Sequence, residues 1–128
     1  MATKVTFRAD QAGINRMLRQ EWMFRELERR GGRVAIRARV TAPARSYEYR
    51  SKIGVERVEG ARTATVRVVA RADHSLIVER GSRPHIIEPR RKQALAWPGG
   101  AHPVKRVHHP GTPAMHILRN ALIAAAGD

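Results

Sequence analysis

Apolar and polar residues follow two periods along this chain, and the period of two marks its extended parts. In the stretch TKVTFR, apolar Val5 and Phe7 alternate with polar neighbours, which predicts a strand over residues 3–8. In the middle, KIGVERV and TATVRVVA are short, rich in β-branched residues and separated by the turn-like EGAR. They predict an antiparallel hairpin within a β region over residues 50–107.

Between these stretches the apolar positions recur every three or four residues, which predicts one or two helices over about residues 10–42. Asp10 is the expected N-cap, and Pro43 marks the expected end, because the residue before a proline resists helical dihedrals. Gly31 and Gly32 interrupt the pattern at a cost of about 1 kcal/mol each relative to alanine. Since the apolar face keeps its phase across them, we expect a continuous helix whose glycines approach a neighbouring backbone closely.

The last third reads as a second hairpin followed by a helix. HIIEP and ALAW lead into the turn PGGAHP, and VKRV leads out of it, which predicts a hairpin over residues 84–107. Thr112 and Pro113 are the expected N-cap and first residue of a helix over 113–126. Periodicity does not decide whether residues 74–80, before Gly81, form a strand or a helix.

These elements predict an α+β fold in which a long N-terminal helix and a short C-terminal helix pack on an antiparallel sheet with a protruding hairpin. The length of 128 residues suits a single domain over 1–128. No apolar run approaches the roughly 20 residues that cross a bilayer, and the first residues lack the apolar segment of a signal peptide. The absence of cysteine excludes disulfides and fits a reducing compartment.

Charge changes this picture, because 25 Lys and Arg stand against 11 Asp and Glu, a net charge of +14. A chain of this charge is attracted to polyanions, which favours a nucleic acid or a neighbour of one as partner. An arginine-rich surface that only faces solvent remains the alternative.

Histidines crowd the stretch KRVHHPGTPAMH, which raises the question of a metal or catalytic site. His108 and His109 are adjacent, so on a strand they face opposite ways, and the spacing of a helical zinc pair is absent. The sequence therefore predicts no metal site, no cofactor and no catalytic residue. We interpret Pro110, Gly111, Thr112 and Pro113 as a structural joint, in which the prolines fix two dihedrals and the glycine permits a positive φ.

Five short motifs in order carry a resemblance: EXGS at 79–82, PHII at 84–87, LAWP at 95–98, VXHPGT at 107–112 and LRNAL at 118–122. With the upstream basic helix that ends in Ala42-Pro43, the chain resembles the small head–tail connection (neck) and tail-completion proteins of long-tailed bacteriophages. The likeness covers most of the chain.

The resemblance implies a structural virion protein without catalysis, made in the cytoplasm of a bacterial host and located at the head–tail junction of the virion. It implies a homo-oligomeric ring, expected to be a hexamer, between the capsid portal and the tail, with genomic DNA passing through the lumen. The implied partners are further copies of the chain, other neck proteins, and tail-terminator and tail-tube proteins, with no membrane.

The positive charge of such a ring is much larger than the charge of the DNA that its lumen encloses. Six copies carry +84, whereas duplex in a ring roughly 30 Å thick carries only about 18 phosphates. Most arginines therefore lie elsewhere, some of them paired with Glu21, Glu26, Glu28 or Glu88. The expected lumen or partner contacts cluster at the second hairpin: Arg90, Arg91, Lys92, Lys105 and Arg106. Gly31 and Gly32 are further candidates for contacts between subunits.

Two other classes remain open. A small basic ribonuclease toxin has similar size and charge, and His85, Arg90 and His109 carry the side chains its chemistry needs. A non-specific nucleic-acid-binding protein also fits the charge, although the chain has no helix-turn-helix signature and few aromatic residues for base stacking.

Overall fold

The computed structural model of the protein describes residues 2–43 and 47–127, and its chain divides into two compact units. The first comprises Met1–Ala72 and Leu118–Asp128, and the second comprises Asp73–Ile117. Long and short helices stand beside antiparallel strands, which confirms the expected α+β class. The strands form two separate two-stranded sheets, one in each unit. That the whole chain folds as one domain stays a prediction.

The first unit begins with the two helices expected from the apolar period. Helix α1 (Gln11–Met17) is capped by Asp10, whose carboxylate accepts a 3.0 Å hydrogen bond from the Gly13 N–H. Helix α2 (Glu21–Thr41) runs without a break through both glycines, as predicted. It ends where Ala42 adopts an extended ψ of 144°, the conformation that a following proline favours.

The first hairpin supplies the sheet on which α2 packs. After the short helix α3 (Glu48–Ser51), strand β1 (Ile53–Arg57) pairs antiparallel with β2 (Val66–Ala70), with Val55 opposite Val68. Val34, Ala35 and Ala38 are the buried residues of α2, which confirms its predicted apolar face. Among the described residues the only large side chain that is fully buried is Tyr49 of α3.

The second unit is a helix followed by a long two-stranded ribbon. Residues 75–80, which periodicity left undecided, form helix α4 (Ser75–Arg80), and Gly81 ends it with a φ of 74°. Strand β3 (His85–Ile87) pairs antiparallel with β4 (Val107–His109). The ribbon is extended by single bridges between Ser82 and Thr112 and between Leu95 and Val104. These pairings confirm a hairpin over the predicted range.

One predicted strand and the predicted start of the last helix are wrong. Residues 3–8 form no strand, because no strand among the described residues pairs with them, and Val5 and Phe7 are 87% and 91% exposed. The last helix, α5, spans Ile117–Ala126 and does not begin at Pro113. The backbone before it is held elsewhere: the Met115 and His116 N–H groups donate to the Val78 and Glu79 carbonyls of α4.

The expected role of the paired glycines also needs correction. A Cβ on Gly31 would lie 3.0 Å from a Val55 methyl and 3.3 Å from a Val66 methyl, so this glycine faces side chains of its own hairpin and no neighbouring backbone. A Cβ on Gly32 would meet nothing within 4 Å. Gly31 therefore packs against the first hairpin, and a contact of either glycine with another subunit stays a prediction.

In the part of the chain that the structure describes, no helix combines the length and the apolar character that a membrane span requires.

Candidate partner-contact hairpin

The tip of the second hairpin is a tight turn built by proline and glycine. The Gly100 N–H donates a 3.0 Å hydrogen bond to the Trp97 carbonyl, which closes a four-residue turn. Pro98 and Gly99 occupy its central positions, and Gly99 has a φ of 86°. Proline followed by a glycine of positive φ is the requirement of a type II turn. The turn signal read from PGGAHP therefore lies at the tip of the hairpin.

The base of the same hairpin is held by backbone hydrogen bonds between Ser82 and Thr112, each of which follows a glycine. The N–H groups of Ser82 and Thr112 donate to each other's carbonyl oxygens, and the Ser82 hydroxyl accepts a further bond from the Thr112 N–H. Gly111 has a φ of 90°, and a Cβ there would lie 2.5 Å from the Ser82 carbonyl oxygen. A Cβ on Gly81 would overlap the Thr112 carbonyl oxygen. Both positions therefore require glycine.

The four residues named as a joint thus lie at or beside this base. Pro110 and Gly111 lead from β4 into the Ser82–Thr112 bridge, and Pro113 follows it. Thr112 belongs to the bridge and caps no helix. The backbone N–H and carbonyl of Thr112 are both bonded to Ser82. The helix accordingly begins at Ile117, four residues after Pro113.

Two histidines face each other across the hairpin. His85 and His109 are directly paired in register, and their rings stack with centroids 4.9 Å apart. Nδ1 of His109 accepts a 3.0 Å hydrogen bond from the Gly111 N–H, which places the proton of the neutral ring on Nε2. His108 is exposed on the opposite side of the strand, as the alternation predicted. Sequence reasoning missed the stack, because it requires the register.

The structure brings together only some of the five cations that the sequence predicts as lumen or partner contacts. Arg90 and Arg106 line one groove of about 750 Å³ with His85 and Glu88. Arg90 also joins Arg91 and Lys92 around a smaller groove of about 270 Å³ beside Leu95. Lys105 is exposed and lines neither groove. The ribbon therefore presents a mixture of cationic and apolar groups.

The predicted glutamate partners of the arginines are confirmed. Each carboxylate lies within 4 Å of an arginine, and the pairs are Glu21 with Arg25 and Arg57, Glu26 with Arg29 and Arg30, Glu28 with Arg57, and Glu88 with Arg106. Hydrogen bonds from Arg29 and then Arg30 hold the pKa of Glu26 at about 2. A hydrogen bond from Arg57 likewise lowers the pKa of Glu21 and of Glu28.

The sequence did not predict one cluster of ion pairs, which is centred on Glu56. Glu56 on β1 pairs with Arg67, directly opposite it on β2, and with Arg71 just beyond that strand. The Arg67 hydrogen bond is the main cause of the lowered pKa of Glu56. Once the hairpin register is known, the pair follows from the rule that opposite charges face each other across strands.

The geometry holds no candidate metal centre in the described residues, where no three His, Asp or Glu side chains come close enough to share an ion. No protein-family model, curated protein or solved structure matches this chain. What the molecule itself establishes is an α+β fold that presents a basic hairpin.

Proposed function

We propose that this protein is a structural, ring-forming component of a tailed-phage neck or tail top, where it joins the capsid portal to the tail and lets DNA pass. The proposal names a hexamer and assigns the hairpin cations to the lumen or to a partner. It assigns no catalytic residue, cofactor or metal to the chain. Its basis is the order of motifs together with the amount of surface that a single chain leaves uncovered.

That uncovered surface is the observation that carries the proposal. A compact protein of 14.4 kDa exposes about 6,800 Å², and two separate compact bodies of these sizes expose about 8,200 Å². This chain exposes 10611 Å². The excess, about 2,400 Å², is the order of area that a subunit covers by contacting two neighbours at about 800 Å² each.

Much of the uncovered surface is apolar and lies on segments shaped for pairing. Val5 and Phe7 keep the alternation of a strand without a strand partner in the described chain. All three residues of β3 are exposed, including Ile86 and Ile87. Exposed apolar strands are surfaces that proteins cover by adding a neighbour's strand. A ring supplies this neighbour at every subunit, because head-to-tail contacts close on themselves.

Native mass spectrometry across a range of salt and protein concentration tests the proposal. The expected result is a closed species near 86 kDa, six times 14.4 kDa. Replacing Val5 and Phe7 by serine is expected to shift the population toward smaller species, whereas replacing Lys4 and Arg8 by glutamine leaves apolar burial intact. A monomer at every concentration, alone and with portal or tail-end complexes added, would overturn the ring.

A second candidate, a small basic ribonuclease, is favoured by the histidine stack. His85, Arg90 and Arg106 line one groove, and His109 stacks on His85. Two imidazoles beside guanidinium groups are the side chains that acid–base cleavage at an RNA phosphate uses. Cleavage of a labelled RNA that is lost in both His85→Ala and His109→Ala, with toxicity on expression lost in parallel, would favour this candidate over the neck protein.

A further inference from the structure

A groove in the first unit lies between α2, β2 and α5 and is lined by apolar side chains. Its volume is about 460 Å³, within the range of roughly 300–1,000 Å³ common for binding pockets. We call it the α2–α5 groove, and its apolar lining is Leu27, Val34, Val66, Val68, Leu118 and Leu122. A smaller cavity of about 270 Å³ continues it along the same two helices and shares Val34 and Leu122. Leu122 is 60% exposed although it lies between apolar neighbours.

The rim of this groove is cationic. Arg30, Arg67 and Arg119 line the larger cavity, and Arg29, Arg30 and Arg33 line the smaller one. Glu26 is shared between Arg29 and Arg30, and Glu56 is shared between Arg67 and Arg71. Each shared carboxylate leaves its two arginines with one positive charge. Among the residues that the structure describes, no acidic side chain lines either cavity.

Arg33 adds an independent sign of a missing partner. Its Nε is buried, and no hydrogen-bond acceptor reaches it within the described chain. A buried donor without an acceptor is unfavourable, because the hydrogen bond that it made to water in the unfolded chain is not replaced. The Arg33 side chain therefore lines the smaller cavity with one of its donors unbonded.

The spacing of the lining residues fits a helix. Leu27 and Val34 lie seven residues apart on α2, as do Leu118 and Ala125 on α5. Seven residues of helix span about 10.5 Å, the distance over which a docked helix presents apolar residues at positions i, i+4 and i+7.

Charge argues against a second copy of this chain as the occupant. The exposed apolar segment around Val5 and Phe7 carries Lys4 and Arg8, and the one around Ile86 lies between Arg83 and Arg90. Either segment would bring like charge to an arginine rim, which costs affinity. A partner helix with acidic residues beside its apolar face brings opposite charge.

We propose that the α2–α5 groove binds an acidic amphipathic helix of a different protein. Apolar side chains of that helix rest on Val34 and Leu122, and its carboxylates pair with Arg30, Arg33 and Arg67. The inference concerns a partner and does not depend on the ring, so each is tested separately.

Fluorescence anisotropy with three synthetic 18-residue peptides tests the groove in the full chain. The first peptide has leucine at i, i+4, i+7 and i+11 and glutamate at the positions on either side of that apolar face. The second has the same composition in scrambled order, and the third replaces each glutamate by lysine. We expect the first to bind at least tenfold more tightly than the other two at about 0.15 M salt.

Variants locate the site. Leu122→Gln and Arg33→Gln are expected to weaken binding of the acidic peptide at least fivefold. Ile123→Gln, on the same helix but outside the groove, and Arg16→Gln, on α1, are expected to leave binding within twofold. Circular dichroism checks that each variant keeps its helices.

Equal binding of the scrambled peptide would mean attraction to a chain of +14 in general and would overturn the proposal. An equal effect of Ile123→Gln and Leu122→Gln would overturn it as well. If the acidic peptide fails to bind and Leu122→Gln lowers the oligomer mass in native mass spectrometry, the groove is a contact between copies of the chain. That outcome rejects the helix while leaving the ring in place.

Discussion

At the scale of single residues, identical neighbours in this chain have different surroundings. Gly31 faces the valines of the first hairpin, whereas Gly32 faces open space on the same helix. Glycine disfavours helix by about 1 kcal/mol relative to alanine, and this preference is equal at the two positions. The two glycines therefore differ only in the packing around them.

Replacing each glycine by alanine separates these effects. Gly32→Ala is expected to raise the free energy of unfolding by about 0.5–1 kcal/mol, because helix propensity improves and nothing is displaced. Gly31→Ala is expected to gain less or to destabilise, because the methyls of Val55 and Val66 must move. Urea unfolding followed by circular dichroism measures both. A larger gain for Gly31→Ala would show that α2 does not approach the hairpin as described.

The paired glutamates predict a dependence of stability on pH. The pKa of Glu26 falls from 4.5 to about 2 in the folded protein, so between these values the unfolded chain binds more protons. The stabilisation is complete above about pH 5 and is lost as pH falls through 4.5 toward 2. Glu21, Glu28 and Glu56 act in the same direction.

Thermal unfolding at low salt between pH 6 and pH 2.5 checks this prediction. The midpoint of the parent protein is expected to fall across the range, and Glu26→Gln is expected to show a shallower fall. Glu59→Gln is the control, since Glu59 makes no ion pair in the described structure. A slope for Glu26→Gln equal to that of the parent would contradict the assignment. Added salt is expected to weaken the difference, because these pairs are exposed.

At the scale of elements, the second hairpin depends on the Ser82–Thr112 bridge at its base. Gly81 and Gly111 flank that bridge on opposite strands, and each has a positive φ and no room for a side chain. The chain beyond the bridge then donates to the end of α4, which delays α5 until Ile117. Backbone hydrogen bonds across the ribbon therefore compete successfully with a proline-initiated helix.

Gly111→Ala tests how far this base supports the hairpin. The added methyl meets the Ser82 carbonyl, so faster amide hydrogen exchange is expected at Ser82, Thr112 and His116, with exchange in β1 and β2 unchanged. Gly99→Ala is the matched control, because its φ is also positive but its site is open. Equal effects of the two variants would reduce the role of Gly111 to backbone conformation alone.

At the scale of the whole molecule, charge and histidine are distributed unequally. The second unit holds seven Lys and Arg, three Asp and Glu, and all six histidines of the chain. Its net charge is +4, seven minus three, with histidine counted as neutral. The first unit carries the remaining +10, and the arginines that pair with glutamates on α2 and the first hairpin are already balanced in that figure. Net charge alone therefore does not single out the hairpin, and a polyanion contact there needs its own measurement.

The dependence of duplex DNA binding on salt measures that contact. Replacing Arg90, Arg91 and Lys92 by glutamine is expected to reduce the slope of log affinity against log salt by about 2.7, if all three neutralise phosphates. The control replaces Lys4, Arg8 and Arg16 by glutamine and is expected to change the slope by less than about 1. An equal change in both would mean that charge acts without a site, and the hairpin assignment would fail.

The sequence by itself determined the elements whose cause is local. The period of three to four residues, the Asp10 cap and Pro43 predicted α1 and α2, and β-branched residues around a turn predicted the first hairpin. Proline and glycine predicted the turn at the tip of the second. These signals depend on dihedral preference and on neighbours within a few residues, so they are readable without a fold.

Only the tertiary structure decided the features that need a distant partner. The strand at 3–8 fails because alternation does not supply a second strand, and the helix at 113 fails because α4 takes its backbone donors. The histidine stack, the Glu56 cluster and the α2–α5 groove join residues far apart in the chain. Their existence depends on register and packing, because a period states which face a residue occupies but not what lies opposite that face.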